Sequence, residues 1–151
     1  MNYFKSIFII LFFFSFLQKS NAQAISYYPF DKAQQLSIAT NPTKVVWMDF
    51  RFQMNSFTTS LNVEPALMVN LAYTRNANFY VGGGANLGVV GAFYDRELVN
   101  GYFGSFGTRA YPFEKAPKIS INFELGPYVQ TDGKAGIFRA WLGLGYHFKG
   151  K

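Results

Sequence analysis

Cysteine is absent from all 151 residues, which excludes disulfides, thiolate metal sites, a cysteine nucleophile and a lipid-modified N-terminal cysteine. Histidine occurs once, as His147; one imidazole among scattered carboxylates forms no ligand cluster, so no metal or other cofactor is expected. Charged residues make up only 15 % of the chain, and the surplus of lysine and arginine gathers into no stripe or patch, so no nucleic-acid partner is expected. After residue 24 no apolar run is long enough to cross a membrane as a helix. Lysine is missing from the middle of every candidate strand: Lys32, Lys44, Lys115, Lys118, Lys134, Lys149 and Lys151 all fall in connections or at strand ends.

What the chain does have is apolar and aromatic residues, half and a fifth of the total, with 18 Phe and 10 Tyr. The first of them are contiguous. Lys5 followed by Ile7 to Leu17 (IFIILFFFSFL) has the charged start and short apolar core of a secretory signal. The small-x-small patterns Ser20-Asn21-Ala22 and Ala22-Gln23-Ala24 then offer cleavage sites that would start the mature chain at Gln23 or Ile25. Residues 1–24 are therefore expected to be a cleavable signal peptide, and residues 25–151 a single domain of ordinary size. Loss of Lys5 and Lys19 would take the formal charge from +6 to +4.

Beyond the leader the pattern turns to period two, the mark of strands with unlike faces. Leu61, Val63, Pro65, Leu67, Val69, Leu71 and Tyr73 alternate with Asn62, Glu64, Ala66, Met68, Asn70, Ala72 and Thr74. Ile119, Ile121, Phe123, Leu125, Pro127 and Val129 alternate with Ser120, Asn122, Glu124, Gly126 and Tyr128. Val46, Met48, Phe50, Phe52 and Met54 oppose Trp47, Asp49, Arg51 and Gln53. Further strands are expected at 35–41, 79–90, 102–113 and 136–148, and a short eighth at 25–30 competes with an irregular N-terminal arm because Pro29 cannot donate to a ladder. Short connections at 41–44, 75–78 and 114–117 alternate with longer ones at 55–60, 91–100 and 130–135, as in outer-membrane barrels with short periplasmic turns and longer outer loops. That places Pro65 and Pro127 near the outer strand ends. The expected fold is all-β: an antiparallel up-and-down transmembrane barrel of eight strands.

Alternation alone does not say which face is inside. The polar face does. A water-facing strand is dense in charges, often lysine, whereas a narrow barrel interior takes small residues and a few mutually paired charges. The mid-strand charges are Asp49, Arg51, Glu64, Arg109, Glu124 and Arg139, three acids and three arginines among Gly, Ala, Ser and Asn. With symmetric turns Arg51 lies opposite Glu64, and Arg109 opposite Asn122 and diagonal to Glu124. They are read as a structural ionic network filling the lumen. Trp47 and Trp141 share its parity, which points two large aromatics inward. The glycines within the strands, Gly82-Gly83-Gly84 among them, precede no helix and no Lys-Ser/Thr ending, so they are not a phosphate cradle.

The last strand, Leu142-Gly143-Leu144-Gly145-Tyr146-His147-Phe148, resembles the closing strand of outer-membrane β-barrel proteins. The alternation over 35–148 and the leader extend that resemblance to the small eight-stranded type. The resemblance implies residence in a bacterial outer membrane, contact with its lipid, and recognition of Leu144, Tyr146 and Phe148 by the barrel-insertion machinery. In that class the aromatic normally ends the chain, whereas here Lys149-Gly150-Lys151 follow. Three functions stay open: a structural or surface-interaction barrel with no catalysis, a soluble periplasmic barrel binding an apolar ligand, and a lipid-modifying outer-membrane enzyme. For the enzyme, His147 would be the base; with no evident serine partner it reads as an interfacial side chain at the periplasmic end.

Overall fold

The computed structural model describes residues 24–29, 34–55, 60–92 and 97–148; the leader up to residue 23 and the tail from 149 lie outside the described residues. Eight antiparallel strands follow one another: β1 (Ala24–Tyr28), β2 (Gln34–Ala39), β3 (Val46–Asn55), β4 (Ser60–Tyr73), β5 (Ala77–Gly88), β6 (Val99–Ala110), β7 (Ile119–Gln130) and β8 (Gly136–His147). Each pairs with its neighbours in sequence, and β1 closes on β8 from Ala24↔His147 to Tyr27↔Leu144. The result is a closed up-and-down barrel. Closure leaves no free sheet edge to recruit another chain.

The short N-terminal segment is thus a strand, and it makes the seam. It ends at Tyr28, one residue before Pro29, where the ladder would lose a donor. Three links join strands at one end, called here the turn end. In the first, Asn41 Oδ1 accepts from Thr43 N (3.2 Å) and Thr43 Oγ1 (2.7 Å), a local side-chain turn that asparagine favours. Asn70 fastens it to β4 by donating to Pro42 O (2.8 Å) and Lys44 O (2.6 Å). The second turn covers 74–76, one residue earlier than the expected 75–78, and is held by Thr74 N→Ala77 O (2.8 Å).

Three expectations need correction. The connection between β6 and β7 spans 111–118 rather than four residues, because Pro112 and Pro117 cannot continue either ladder. Strand β5 stops at Gly88 and the chain makes one helical turn, α1 (Val89–Ala92), where two β-branched residues favour strand; Gly88 N donates instead to Leu98 O (2.8 Å) at the foot of β6. Pro65 lies within β4 opposite Phe50 rather than near its end. It is tolerated because the β4–β5 ladder skips Glu64 and Pro65, running from Val63↔Leu87 to Ala66↔Gly84. Pro127 sits at a similar gap between β6 and β7. At both places a glycine lets the backbones close in: a Cβ on Gly84 would collide with the Pro65 carbonyl, and one on Gly126 with the Gly104 carbonyl.

Alternation now acquires a direction. Leu67 is 55 % exposed, Phe123 is 41 % and Phe50 is half-buried, while Asp49, Arg51, Glu64 and Glu124 are buried. The apolar face is the outer surface, and the interior is polar.

Candidate functional site

The only concentration of chemically capable groups among the described residues lies inside the barrel. Strand pleat puts alternate residues there: Ser26 and Tyr28 from β1, Ser37 from β2, Asp49 and Arg51 from β3, Glu64 from β4, Tyr80 and Asn86 from β5, Phe103, Ser105 and Arg109 from β6, Asn122 and Glu124 from β7, and Arg139 from β8. All six charged residues expected inside are there. The Arg51–Glu124 and Arg139–Glu64 ion pairs, however, are set across the lumen rather than between neighbouring strands.

Arg51 and Glu64 are in register as expected, yet they make no ion pair. Arg51 binds Asp49 two residues away (Nε to Oδ2, 2.9 Å) and reaches to β7, where its NH2 lies 2.7 Å from Glu124 Oε2. Glu64 instead takes Arg139 of β8 (NH1 to Oε1, 2.7 Å) and the Asn86 amide (2.7 Å). In a narrow closed barrel the opposite wall is within reach of a long guanidinium, and its planar fork then selects the carboxylate it can face squarely.

Glu124 is the hub. Its Oε1 accepts from Tyr28 OH (2.9 Å) and Tyr80 OH (2.8 Å), and its Oε2 from Ser105 Oγ (2.8 Å), beside the Arg51 pair. Asp49 also accepts from Ser37 Oγ. Burying an anion is tolerable only with such a full complement of donors.

Arg109 is paired differently. Asn122 faces it across β6–β7 and accepts from its Nε at 3.1 Å, and among the described residues no carboxylate lies within 4.0 Å of it. Its guanidinium packs over the Trp47 ring at 5.1 Å and the Tyr80 ring at 5.8 Å. The other arginines also lie over rings: Arg51 over Phe103 (5.4 Å), and Arg139 over Phe103 (5.1 Å) and Tyr128 (4.7 Å). Ring faces attract such cations where water is excluded. Trp47 is therefore a working part of the charged interior, while Trp141 packs edge to face on Tyr28 (6.4 Å); for both, parity with Arg51 and Arg139 was the available signal. Tyr128 was on that face in the sequence pattern; Tyr28, Tyr80 and Phe103 carry the same parity and were not singled out.

His147 is not interfacial. It is buried at the turn end of β8, against the Tyr111 ring (5.1 Å), with Nε2 3.1 Å from Ser120 Oγ. A serine partner thus exists, from β7. The Ser120 hydroxyl also lies 3.0 Å from Asn122 Oδ1, an acceptor that competes with the imidazole for its single proton, whereas an activated nucleophile gives that proton to the histidine. Just outside the strands, burial pushes the Tyr111 hydroxyl above its ordinary pKa, against the opposing charge of Arg109. Among the described residues no group of three metal-ligating side chains gathers.

Leu144, Tyr146 and Phe148 lie on the outer face of β8 and just past it, exposed, with the Tyr146 and Phe148 rings edge to face at 5.6 Å. No protein-family model matches the chain, and no curated protein matches it. Among solved structures it is similar to a de novo designed protein, TMB2.3, determined by solution NMR. The TM-score is 0.53 at 14 % identity, over 85 % of this chain and 93 % of that one. A likeness at that identity speaks for the fold.

Proposed function

We propose that the protein is an integral outer-membrane β-barrel of structural or surface-interaction type, with a plugged lumen and no catalytic activity. The observation that carries this reading is the inversion of the usual order: ion pairs inside, a continuous apolar belt outside. In water such a belt would be a very large exposed apolar patch, far beyond what soluble proteins carry. In a bilayer it is the solvent-matched surface, and apart from the gaps at Pro65 and Pro127 the closed ladder pairs the backbone groups that hydrocarbon cannot satisfy. Strands β3 to β8, 10 to 14 residues long and tilted near 40°, rise roughly 25–35 Å, enough to cross such a belt, whereas β1 and β2, with 5 and 6 residues, rise roughly 13–15 Å.

The polar interior also weighs against a carrier of apolar ligands, which needs its apolar face within. The Asn122 acceptor that competes for the Ser120 hydroxyl weighs against a hydrolytic site. Export by the leader belongs to the same proposal. Of the two cleavage sites, the one after Ala22 keeps Ala24, which is buried and pairs with both Ala39 and His147.

Membrane fractionation followed by gel electrophoresis with and without boiling tests this reading. A closed barrel stays folded in detergent until boiled and migrates differently in the two lanes. Release of the protein by a high-salt wash, or identical migration in both lanes, overturns it. In planar bilayers a plugged barrel adds no steady conductance; open channels at low voltage would remove the plug from the proposal.

A further inference from the structure

The charges of the barrel are unevenly distributed along its axis. Inside, the charges of three arginines and three carboxylates balance in number. At the turn end the described links expose Lys44, Arg75, Lys115 and Lys118 against the single carboxylate Glu114. The described links at the other end carry Glu97, Asp132 and Lys134, one cation against two acids. The positive surplus of the described barrel therefore sits in one ring, contributed by all three turn-end connections.

That ring lies beside exposed aromatics. Tyr73 ends β4 two residues before Arg75, Phe113 precedes Lys115 by two, and Tyr146 and Phe148 stand at the foot of β8; all four are nearly half exposed. Aromatic side chains with cations just beyond them suit the boundary between hydrocarbon and headgroups, where ring bodies stay apolar and charges reach water. Here the charges are of one sign.

We infer that the turn-end rim is a docking surface for anionic phospholipid headgroups of the adjacent leaflet. This rests on the transmembrane reading above and adds the kind of lipid that one leaflet must supply. Each lysine or arginine at a negatively charged membrane surface contributes an attraction within a Debye length, so a ring of four would enrich anionic lipid around the barrel and hold that end in its leaflet. The opposite rim, without a positive surplus, has no such preference.

Electron spin resonance of lipids in vesicles tests both levels. The folded full-length protein is reconstituted in phosphatidylcholine, with trace spin-labelled phosphatidylcholine in one sample and spin-labelled phosphatidylglycerol in another. The motionally restricted fraction reports lipid at the barrel surface. Phosphatidylglycerol is expected to be favoured by about two- to fivefold at low salt, the range set by one headgroup meeting one surface cation. The preference should fall to unity at high salt, and in the variant K44Q/R75Q/K115Q/K118Q, whose changes all lie outside the strands. Equal restricted fractions for the two lipids in the wild type, or a preference that survives the variant, overturn the docking surface and leave the transmembrane reading intact. Absence of any restricted component overturns both.

Discussion

Replacing Glu124 by glutamine perturbs the interior with the least change of shape. The carboxylate is fully buried, accepts from the hydroxyls of Tyr28, Tyr80 and Ser105 at 2.9, 2.8 and 2.8 Å, and is ion-paired with Arg51 at 2.7 Å. Hydrogen bonds to an ionised acceptor contribute about 1.5–3 kcal/mol each, against roughly 0.5–1.5 for neutral ones. An amide keeps one oxygen for the two tyrosines, but its NH2 then confronts Ser105 and the Arg51 guanidinium. Ser105 can turn its hydroxyl and accept. Arg51 retains Asp49 at 2.9 Å, so its charge is not wholly abandoned. Removing one partner of a buried pair costs about 3–5 kcal/mol, and the surviving Asp49 contact puts E124Q near the lower figure, about 3 kcal/mol. The control is E64Q, which breaks the pair with Arg139. That guanidinium is 13 % exposed and lies over the Phe103 and Tyr128 rings, so water and ring faces offset part of the loss and about 1–2 kcal/mol is expected. Reversible urea unfolding of the barrel in phospholipid vesicles, followed by tryptophan fluorescence, measures both. A cycle with Arg51→Met should return a coupling above about 1.5 kcal/mol between Arg51 and Glu124. The reasoning fails if E124Q costs under about 1 kcal/mol, or if E64Q costs as much as E124Q.

On the outer face, Leu67→Arg should cost about 2–4 kcal/mol of stability in a bilayer, because a charge near the middle of the belt meets hydrocarbon; vesicle unfolding that is unchanged would mean Leu67 faces water. Gly84→Ala pushes a methyl group into the Pro65 carbonyl and should cost about 1–3 kcal/mol or more. Gly133→Ala, at φ 68° in an open turn, should cost only the left-handed backbone penalty of about 1–2 kcal/mol; the same unfolding assay would refute the close-approach argument if the order were reversed. His147→Ala should destabilise the barrel by about 1–3 kcal/mol through the lost Ser120 contact and ring packing while leaving lipid composition unchanged, and a lipid product that disappears with the imidazole, seen by mass spectrometry of extracted membranes, would restore the enzyme hypothesis. The intact mass of protein purified from membranes should correspond to a chain starting at Gln23; a start at Ile25 would mean that the seam closes without Ala24.

Much of this architecture needs no tertiary information. The period-two alternation of β3, β4 and β7 determined strand, face and register together, because in a pleated chain a slip of one residue would turn every apolar side chain inward. The same parity put the six charges and both tryptophans on one face, and the absence of mid-strand lysine said that the face was not bathed in water. Local chemistry also placed the 41–44 turn, since asparagine, proline and threonine form it largely by themselves.

Three things came only with closure of the barrel. The first is the choice of ionic partners: strand register sets Arg51 beside Glu64, but curvature brings Glu124 and Arg139 across the lumen, a distance that no pairing of neighbours encodes. The second is the role of Gly84 and Gly126, whose missing side chains are explained by backbones that approach at Pro65 and Gly104. The third is the standing of His147, whose burial and serine contact depend on β7 and β8 lying side by side. Alternation is a property of one strand and can be read along it; which buried charge meets which is a property of the closed cylinder, decided by the distance across it.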